Sequence, residues 1–389
     1  MCLFRRVADQ GLDLLAVGAI ERAEEPSFTS KGNASDWWFG HLAYGYKDRL
    51  EPLASRLADS FDWPLANWFR PRWVIEWRGS EAWLHAHDAD VDEGLAFVEG
   101  MNRERASASP RVLAWRPSTS RDMYLKQAAH LLGHIQRGDI YEVNYCIAHE
   151  AEHMGFDPYT AFDALLGRAD PAYAGFMKMG ERYALCCSPE RFIAFDGERM
   201  SGEPMKGTRP RGVDEAEDAR LRHELANDPK ERSENVMAVD VMRNDFSRVA
   251  VPGSVKVPEL FGVRTHPRVH QLVSVIEGRI ANGHTPFDAV KAAFPPASMT
   301  GAPKISAMKL IDEAEDRARG LYSGAMGYFA PDGTADLNVV IRTVLFDRAS
   351  GRLSIPTGSA LTAQCDPEAE WEECLVKFNS IAHALAAPR

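Results

Sequence analysis

The chain has 389 residues, of which 45% are hydrophobic and 26% charged, a composition typical of a soluble globular protein with a large core. Its net charge of −11 argues against a nucleic-acid-binding surface, which needs a basic face, but allows a small anionic ligand held by local positive charge. We find no signal pattern at the N-terminus and no apolar run near the roughly 20 residues of a membrane span, so we expect a cytoplasmic protein without membrane or nucleic-acid partners.

The first third of the chain is predicted to be rich in β-structure. Residues 1–115 alternate short apolar runs with glycine, proline and polar breaks. These runs predict strands at 12–19, 37–46, 73–77 and 82–85, and a helix near 50–61.

The remaining residues, 120–385, mix strands with single helices. A helix is predicted to begin after Ser120, which can cap it, and to end at Gly138, with Tyr124, Ala128, Leu131 and Ile135 on its buried face. Further helices are predicted at 215–226, 228–245, 286–294, 303–317 and 367–385. Strands are predicted at 140–149, 183–195, 253–261, 270–280, 322–331, 336–347 and 352–357. Several strand pairs are close enough to be hairpins, which indicates a largely antiparallel α+β architecture.

The segment Pro-Met-Lys-Gly-Thr-Arg-Pro places Lys206 among turn-forming residues. Such a lysine is most often a basic surface residue in a turn. If it is buried instead, it loses part of its preference for the charged form and becomes available as a nucleophile.

Two helices each carry a pair of glutamates three residues apart, so each pair lies on one helix face. The pairs are Glu231 with Glu234, and Glu370 with Glu373. A single pair of this kind usually forms surface salt bridges. Four converging carboxylates would repel one another unless a cation held them, and oxygen ligands suit Mg²⁺. Lys377, one turn beyond Glu373, could neutralise a carboxylate there.

The segment Thr300-Gly301-Ala-Pro-Lys is predicted to open a helix. The free N–H groups at a helix start can bind an anion, although a glycine-proline entry often has only a capping role.

Nine segments in this order resemble the chorismate-utilising enzymes. They are Gly138–Asn144, Ser188–Phe192, Pro204–Gly212, Lys230–Asn235, Thr300–Lys304, Gly327–Phe329, Ile341–Thr343, Thr357–Ala360 and Glu370–Lys377. The resemblance covers about 120–385 strongly and the N-terminal part weakly. It implies two packed, largely antiparallel β-sheets flanked by helices, with the active site between the sheets. It also implies that 120–385 is the chorismate-binding part, interlocked with residues 1–115.

The resemblance assigns roles to individual residues. Glu234 and Glu373 would contact Mg²⁺ directly, with Glu231 and Glu370 holding its water ligands. Glu190 would be the general acid beside the C4 hydroxyl of chorismate. Tyr328 and Arg342 would hold the enolpyruvyl carboxylate. The ring carboxylate would be bound by the backbone of a turn formed by Gly358, Ser359 and Ala360, where the family usually has more glycines.

Three positions distinguish branches of the family. Isochorismate and salicylate synthases have a lysine at the position of Glu142, which disfavours that branch. Lys206 resembles the lysine nucleophile of aminodeoxychorismate synthases, where anthranilate synthases usually have alanine. Gln271 stands where the family has an active-site histidine, with His270 displaced by one residue, which fits an enzyme that keeps its enolpyruvyl group.

The resemblance therefore predicts a component I that aminates chorismate at C4 to give 4-amino-4-deoxychorismate, a precursor of 4-aminobenzoate and folate. Lys206 would add at C2 as a neutral amine while Glu190 protonates the departing hydroxyl. We expect ammonia to come from a separate glutamine amidotransferase subunit or from solution, because no segment resembles a glutaminase. The alternatives are an anthranilate synthase component I and a non-catalytic sensor that retains the fold.

Overall fold

The computed structural model describes residues 1–6, 12–29, 32–101, 113–169 and 171–386. The strands in these ranges are β1 (Cys2–Arg6), β2 (Leu12–Ala23), β3 (Trp38–Leu42), β4 (Ala66–Arg78), β5 (Glu81–Ala86), β6 (Arg116–Pro117), β7 (Glu142–Glu152), β8 (Tyr173–Met179), β9 (Arg182–Ser188), β10 (Arg191–Asp196), β11 (Arg199–Gly202), β12 (Met205–Pro210), β13 (Lys256–Thr265), β14 (Val269–Arg279), β15 (Gly301–Ala302), β16 (Ala325–Phe329), β17 (Thr334–Val339), β18 (Thr343–Asp347) and β19 (Arg352–Thr362). The helices are α1 (Lys47–Leu50), α2 (Val91–Glu99), α3 (Arg121–Arg137), α4 (Pro158–Ala169), α5 (Glu215–Asn227), α6 (Pro229–Ser247), α7 (Pro286–Ala293), α8 (Lys304–Ala314) and α9 (Pro367–Ala386).

The strands form two antiparallel arms that share β4. The first arm runs from β4 through β2, β1, β8, β9, β18 and β19 to β7. The second runs from β4 through β3, β16, β17, β10 and β11 to β14, which also pairs with β12 and β13. Hydrogen bonds therefore link the two arms into one continuous sheet.

The arms pack against each other through aromatic side chains. Phe4 of β1 stacks on Phe39 of β3 with ring centroids 6.0 Å apart, and the ring of Phe4 also lies 6.4 Å from that of Tyr328 on β16. Rings of this size bury large apolar areas and so stabilise the contact between the arms. The predicted α+β class with two packed, largely antiparallel sheets is confirmed, with the addition that β4 belongs to both.

Helix α3 shows why the strongest helix prediction is correct. The Ser120 side chain accepts a hydrogen bond from the backbone N–H of Met123, and Gly138 ends the helix at φ 80°, a conformation that favours glycine. Its predicted buried face is buried. The five later helices also begin and end within a few residues of their predicted bounds.

The helix predicted near 50–61 is wrong. Helix α1 ends at Leu50, and Pro52 follows at once; proline lacks the N–H that a continuing helix needs. The next residues are instead held by side chains, because Asp48 accepts from the backbone N–H of Ser55 and Asp312 from that of Arg56. Helices α2 and α4 were not predicted.

Two segments predicted as single strands are each divided in two. The segment 183–195 breaks between β9 and β10, and 336–347 breaks between β17 and β18. Glu190 lies in the first break and Arg342 in the second, where its φ is +52°. Both breaks thus carry residues that the sequence assigns to the site.

Candidate active site

Lys206 lies where the ends of the two arms meet. Its side chain on β12 is 10% exposed, and its Nζ lies 2.5 Å from Oε1 of Glu142, the first residue of β7, and 3.6 Å from Oε2 of Glu234 on α6. Because β7 and β12 belong to different arms, this contact places the site between them. Lys206 is therefore buried and in direct contact with two carboxylates, as a surface lysine would not be.

Gly207 allows Lys206 to take this position. The pairing of β12 with β14 shifts by one residue between Lys206 and Thr208, and Gly207 has a φ of +78°. A Cβ added there would lie 2.8 Å from the carboxyl carbon of Glu231. The left-handed backbone conformation favours glycine, and the absence of a side chain leaves room for the Glu231 carboxyl group.

The carboxylates around Lys206 determine its charge. Burial lowers the pKa of Lys206, but the negative charges of Glu142, Glu234 and Glu190 raise it by more, so the pKa lies above its usual value. The neutral amine expected from burial alone is thus not the favoured form here. Glu142 is hydrogen-bonded to the amine and is placed to exchange a proton with it.

Glu190 lies between β9 and β10 and is 5% exposed. Its backbone N–H donates to the Ser188 hydroxyl, and its carbonyl accepts from the N–H of Val339. Burial raises the pKa of Glu190 to about 7, although the charge of Lys206 lowers it in part. A carboxyl group with this pKa can carry a proton at neutral pH.

Lys230 links the two glutamate pairs. Its Nζ lies 2.9 Å from Oε1 of Glu370 on α9 and 3.9 Å from Oε1 of Glu234 on α6. Helix α6 begins at the predicted place because the Asp228 side chain accepts from the N–H groups of Lys230 and Glu231. The ammonium of Lys230 thus lies near one glutamate of each pair. The sequence did not predict this contact.

The outer two glutamates have their own cationic partners. Glu373 lies 2.6 Å from Lys377, and Glu231 lies 3.4 Å from Arg209. Burial raises the pKa of Glu373, but Lys377 lowers it by more, so its pKa lies below the usual value. Within the described ranges, no three His, Cys, Asp or Glu side chains are arranged closely enough to hold a metal ion as they stand.

Glu234 nevertheless fits a cation site. Its Oε1 is buried and has no hydrogen-bond partner among the described residues, with the Lys230 ammonium 3.9 Å away, and burial raises its pKa to about 7. At that distance the ammonium does not hydrogen-bond the oxygen, so the oxygen remains free to bind a cation directly. Together with the oxygen chemistry of the four glutamates, this supports a site that could accept Mg²⁺.

Arg342 carries a guanidinium that forms no ion pair with another side chain in the part of the chain that the structure describes. Its Nη1 donates to the Ser380 hydroxyl at 3.2 Å, and no Asp or Glu of the described residues forms an ion pair with it. Burial lowers the pKa of its guanidinium, although the charge of Glu373 raises it in part. A partly buried guanidinium of this kind can bind a carboxylate through two hydrogen bonds.

Residues 358–360 lie in a regular strand and not in the turn that the resemblance implied. They pair with β7. On β7, the backbone N–H of Asn144 donates to the Thr300 carbonyl and that of Cys146 to the Glu315 carboxylate, so neither donates to β19. Gly358 and Ala360, opposite these two residues, therefore form non-hydrogen-bonded pairs and direct their own N–H groups to the other edge. On that edge Lys377 donates to the Gly358 carbonyl at 2.7 Å.

The remaining predicted residues have other surroundings. The Ser359 hydroxyl is hydrogen-bonded to Tyr124 at 2.7 Å, and the Thr300 hydroxyl donates to backbone carbonyls. Gly301 pairs with β7, and a Cβ there would lie 2.1 Å from the carbonyl oxygen of Glu142. Tyr328 packs its ring in the aromatic cluster between the arms.

His270 is buried, and both of its ring nitrogens have hydrogen-bond partners. Its Nε2 lies 3.0 Å from Oδ1 of Asp218 and its Nδ1 lies 3.0 Å from the Thr265 hydroxyl. Gln271, the next residue of β14, is buried and pairs with Thr208. The displaced histidine thus does not substitute for the histidine that the family carries at the position of Gln271.

The comparisons with known proteins identify the family of this chain. A sequence model of the chorismate binding enzymes matches residues 9–383, and the chain belongs to this family. It is 37% identical to aminodeoxychorismate synthase component 1 of Klebsiella aerogenes, over 89% of this chain and 76% of that protein. It is 35% identical to anthranilate synthase component 1 of Thermus thermophilus, with the same coverage. Its fold matches a crystal structure of anthranilate synthase component I from Streptococcus pneumoniae TIGR4 with a TM-score of 0.82 at 22% identity, over 95% of this chain and 92% of that one.

Among the described residues, no helix is long and apolar enough to span a membrane.

Proposed function

We propose that this chain is an aminodeoxychorismate synthase component I, which converts chorismate and ammonia into 4-amino-4-deoxychorismate. The observation that carries the proposal is Lys206, buried against Glu142 and Glu234 in the cleft between the arms. A buried lysine that reaches a proton acceptor is suited to covalent catalysis. The relative from Klebsiella aerogenes, which carries this name, supports the same branch.

Chorismate is an anion with two carboxylates, and the site offers two places for them. Arg342, which has no anionic partner among the described residues, binds the enolpyruvyl carboxylate. The N–H groups of Gly358 and Ala360 bind the ring carboxylate at the open edge of β19. The hydroxyls of Ser359 and Thr300 form hydrogen bonds that fix the neighbouring backbone, and Gly301 allows that backbone to lie close to β7. The ring of Tyr328 packs in the aromatic core between the arms.

Mg²⁺ would be held by Glu234 and Glu373 directly and by Glu231 and Glu370 through water. When bound there, it would supply positive charge that neutralises the ring carboxylate and makes C2 of the substrate more electrophilic. Lys377 and Lys230 balance the remaining negative charge of these glutamates.

The residues of the chain then carry out two displacements. Glu142 takes a proton from the Lys206 ammonium, and the amine forms a bond to C2 while the ring double bonds shift and the C4–O bond breaks. Glu190 gives its proton to the departing hydroxyl, which leaves as water. Ammonia next forms a bond to C4, the double bonds shift back, and the C2–N bond to Lys206 breaks.

We place the protein in the cytoplasm, with a separate glutamine amidotransferase supplying ammonia. The six cysteines are free and five of them are buried, as is usual for a protein of a reducing compartment. Residues 1–115 and 120–385 act as one interlocked unit in this proposal, because β3 pairs with β16 and β1 with β8.

The test is to incubate the purified chain with chorismate, Mg²⁺ and ammonium and to identify the product by mass spectrometry and proton NMR. We expect 4-amino-4-deoxychorismate. Anthranilate, which lacks the enolpyruvyl group and so differs in mass, would assign the chain to the rival branch. Chorismate binding without turnover would favour a sensor.

Lys206→Ala is the decisive variant. It should lose most of the C4 amination yet still bind chorismate, whereas Lys256→Ala, an exposed lysine on β13, should behave like the wild type. In the space left by Lys206, ammonia can add at C2, and NMR distinguishes that isomer from the C4 amine although their masses are equal. Formation of 4-amino-4-deoxychorismate at the wild-type rate by Lys206→Ala would exclude covalent catalysis by this lysine.

A further inference from the structure

Two buried side chains outside the proposed active site hold one edge of β7. Arg319 and Glu315 lie in the segment after helix α8 and form an ion pair at 2.6 Å, on side chains that are 2% and 3% exposed. Neither residue belongs to the catalytic, chorismate-binding or metal set. A buried ion pair contributes little net stability by itself, because the desolvation of both charges offsets their attraction. The contacts that the pair makes therefore indicate its role better than its charge does.

A guanidinium has five N–H donors, and each donor of Arg319 has an acceptor. Nε and Nη2 donate to the Glu315 carboxylate at 3.0 and 2.6 Å. Nη1 donates to the Met299 carbonyl at 2.6 Å and to the Ser323 hydroxyl at 3.3 Å. The second N–H of Nη2 donates to the Asn144 carbonyl at 2.8 Å. No donor remains for a ligand, so this group acts on the protein itself.

Two of these acceptors lie where a neighbouring segment leaves β7. The two residues of β15 pair with β7, and the carbonyl of Thr300, just before them, accepts from the backbone N–H of Asn144 at 2.8 Å. The preceding residues, up to Met299, form a helical turn instead. Arg319 donates to the carbonyls of Met299 and Asn144, and so joins the two segments at the point where they separate.

Glu315 continues the hydrogen bonding along the same edge of β7. Its Oε1 accepts from the backbone N–H of Cys146 at 2.9 Å, two residues beyond Asn144. The two side chains thus take the place beside β7 that a longer β15 would occupy. Because buried backbone groups need partners, these bonds fix the position of residues 142–146.

Glu142 begins this stretch, and its Oε1 lies 2.5 Å from the Nζ of Lys206. Two residues, roughly 6–7 Å of strand, separate it from Asn144. From these contacts we infer that Arg319 is a positioning residue for the amination of chorismate. Together with Glu315, it fixes the start of β7 so that the Glu142 carboxylate meets the amine of Lys206. This inference rests on the proposed function.

Arg319→Lys tests whether the pair fixes β7. The lysine keeps a positive charge beside Glu315, but its single nitrogen cannot reproduce the planar fork that reaches two carbonyls and a carboxylate. We measure hydrogen exchange of the full chain without substrate by mass spectrometry. Peptides that cover 142–146 should exchange about two- to tenfold faster than in the wild type, the effect of one lost net hydrogen bond. Peptides of β5 should exchange at the wild-type rate.

Steady-state kinetics of the same variant test the effect on the reaction. The kcat for chorismate amination should fall by about 10- to 100-fold, because a displacement of about 1 Å can cost up to 10²-fold. The KM for chorismate should change by less than about threefold, since Arg319 does not contact the proposed carboxylate-binding groups. Arg317→Lys is the matched control: this arginine is two residues away, and its partner Glu150 lies near the other end of β7. It should keep the wild-type kcat and KM.

A combination with Glu142→Gln separates positioning from a general loosening of the fold. If Arg319 acts through Glu142, adding Arg319→Lys to Glu142→Gln should lower kcat by less than about threefold further. General loosening would instead lower kcat by the same factor as in the wild type. Glu315→Gln removes the other half of the pair and should give the same pattern in all three measurements.

Unchanged exchange at 142–146, a kcat within about threefold of the wild type in Arg319→Lys, or a fully additive loss in the combined variant overturns the inference. Failure of both Arg319→Lys and Glu315→Gln to fold also overturns it, because the pair would then serve the fold alone. A wild type that aminates no chorismate refutes the proposed function, and the exchange result then decides separately whether Arg319 fixes β7.

Discussion

Replacing Glu142 by glutamine tests the proton transfer on which the proposed chemistry depends. The substitution keeps the shape of the side chain and leaves an oxygen that can accept from Lys206, but removes the charge and the basicity. Because Coulomb attraction falls with distance, Glu234 at 3.6 Å supplies, when ionised, about 70% of the attraction that Glu142 supplies at 2.5 Å. The ammonium is therefore not left unpaired, and the loss of folding free energy should be about 1–3 kcal/mol, below the usual cost of breaking a buried pair.

The rate should respond far more strongly than the stability. Loss of a general base typically costs about 10²- to 10⁴-fold, and we expect kcat for C4 amination to fall by this factor. Steady-state kinetics with ammonium and chorismate measure it, and thermal unfolding checks the fold. Glu150→Gln is the matched control, since Glu150 is also on β7 and also lies 2.5 Å from a cation, Arg317. A kcat within threefold of the wild type in Glu142→Gln would refute the role of Glu142 as the proton acceptor.

The helices that carry the site could be predicted because their signals are local. Ser120 and Gly138 mark the two ends of α3, and Asp228 followed by proline marks the start of α6. A glutamate pair on one helix face follows from spacing alone. The resemblance to a family then supplied the reason to bring four glutamates together, which spacing could not.

The contacts between distant segments could not be predicted from local pattern. Lys206 and Glu142 are 64 residues apart in the chain, and their contact depends on how two arms of a sheet close on each other. Glu142 was recognised only as a departure from the family, although a carboxylate at this position beside a candidate nucleophilic lysine was a usable signal. The pKa of Lys206 shows the consequence, because burial alone predicts a lower value and the unforeseen carboxylates raise it.

The error at 358–360 has a similar origin. Glycine and small residues are typical of turns, and the sequence offered no reason to extend the strand beyond 357. In the structure Gly358 is small because it faces β7 closely: a Cβ there would lie 2.6 Å from both the Asn144 side chain and the Cys146 sulfur. Close approach between strands, and not a turn, explains this glycine.

The remaining predictions concern the metal, the substrate carboxylate and the general acid. Glu234→Gln and Glu373→Gln should each abolish activity and weaken Mg²⁺ binding in calorimetry. The control Glu372→Gln, at an exposed residue of the same helix as Glu373, should do neither. Unchanged Mg²⁺ affinity in both Glu234→Gln and Glu373→Gln would show that these glutamates do not bind the metal. Arg342→Lys keeps the charge but loses the two-pronged contact, so the Kd for chorismate should rise by about ten- to a hundredfold, or about 1.4–2.7 kcal/mol, and an unchanged Kd would place the carboxylate elsewhere. Glu190 must be protonated to act, and burial raises its pKa to about 7. The pH–rate profile should therefore have an alkaline limb, on which the rate falls by up to tenfold for each pH unit above 7. Glu190→Gln cannot release a proton, so its low residual rate should lack this alkaline limb; a variant that retains both the limb and the rate would show that another group protonates the departing hydroxyl.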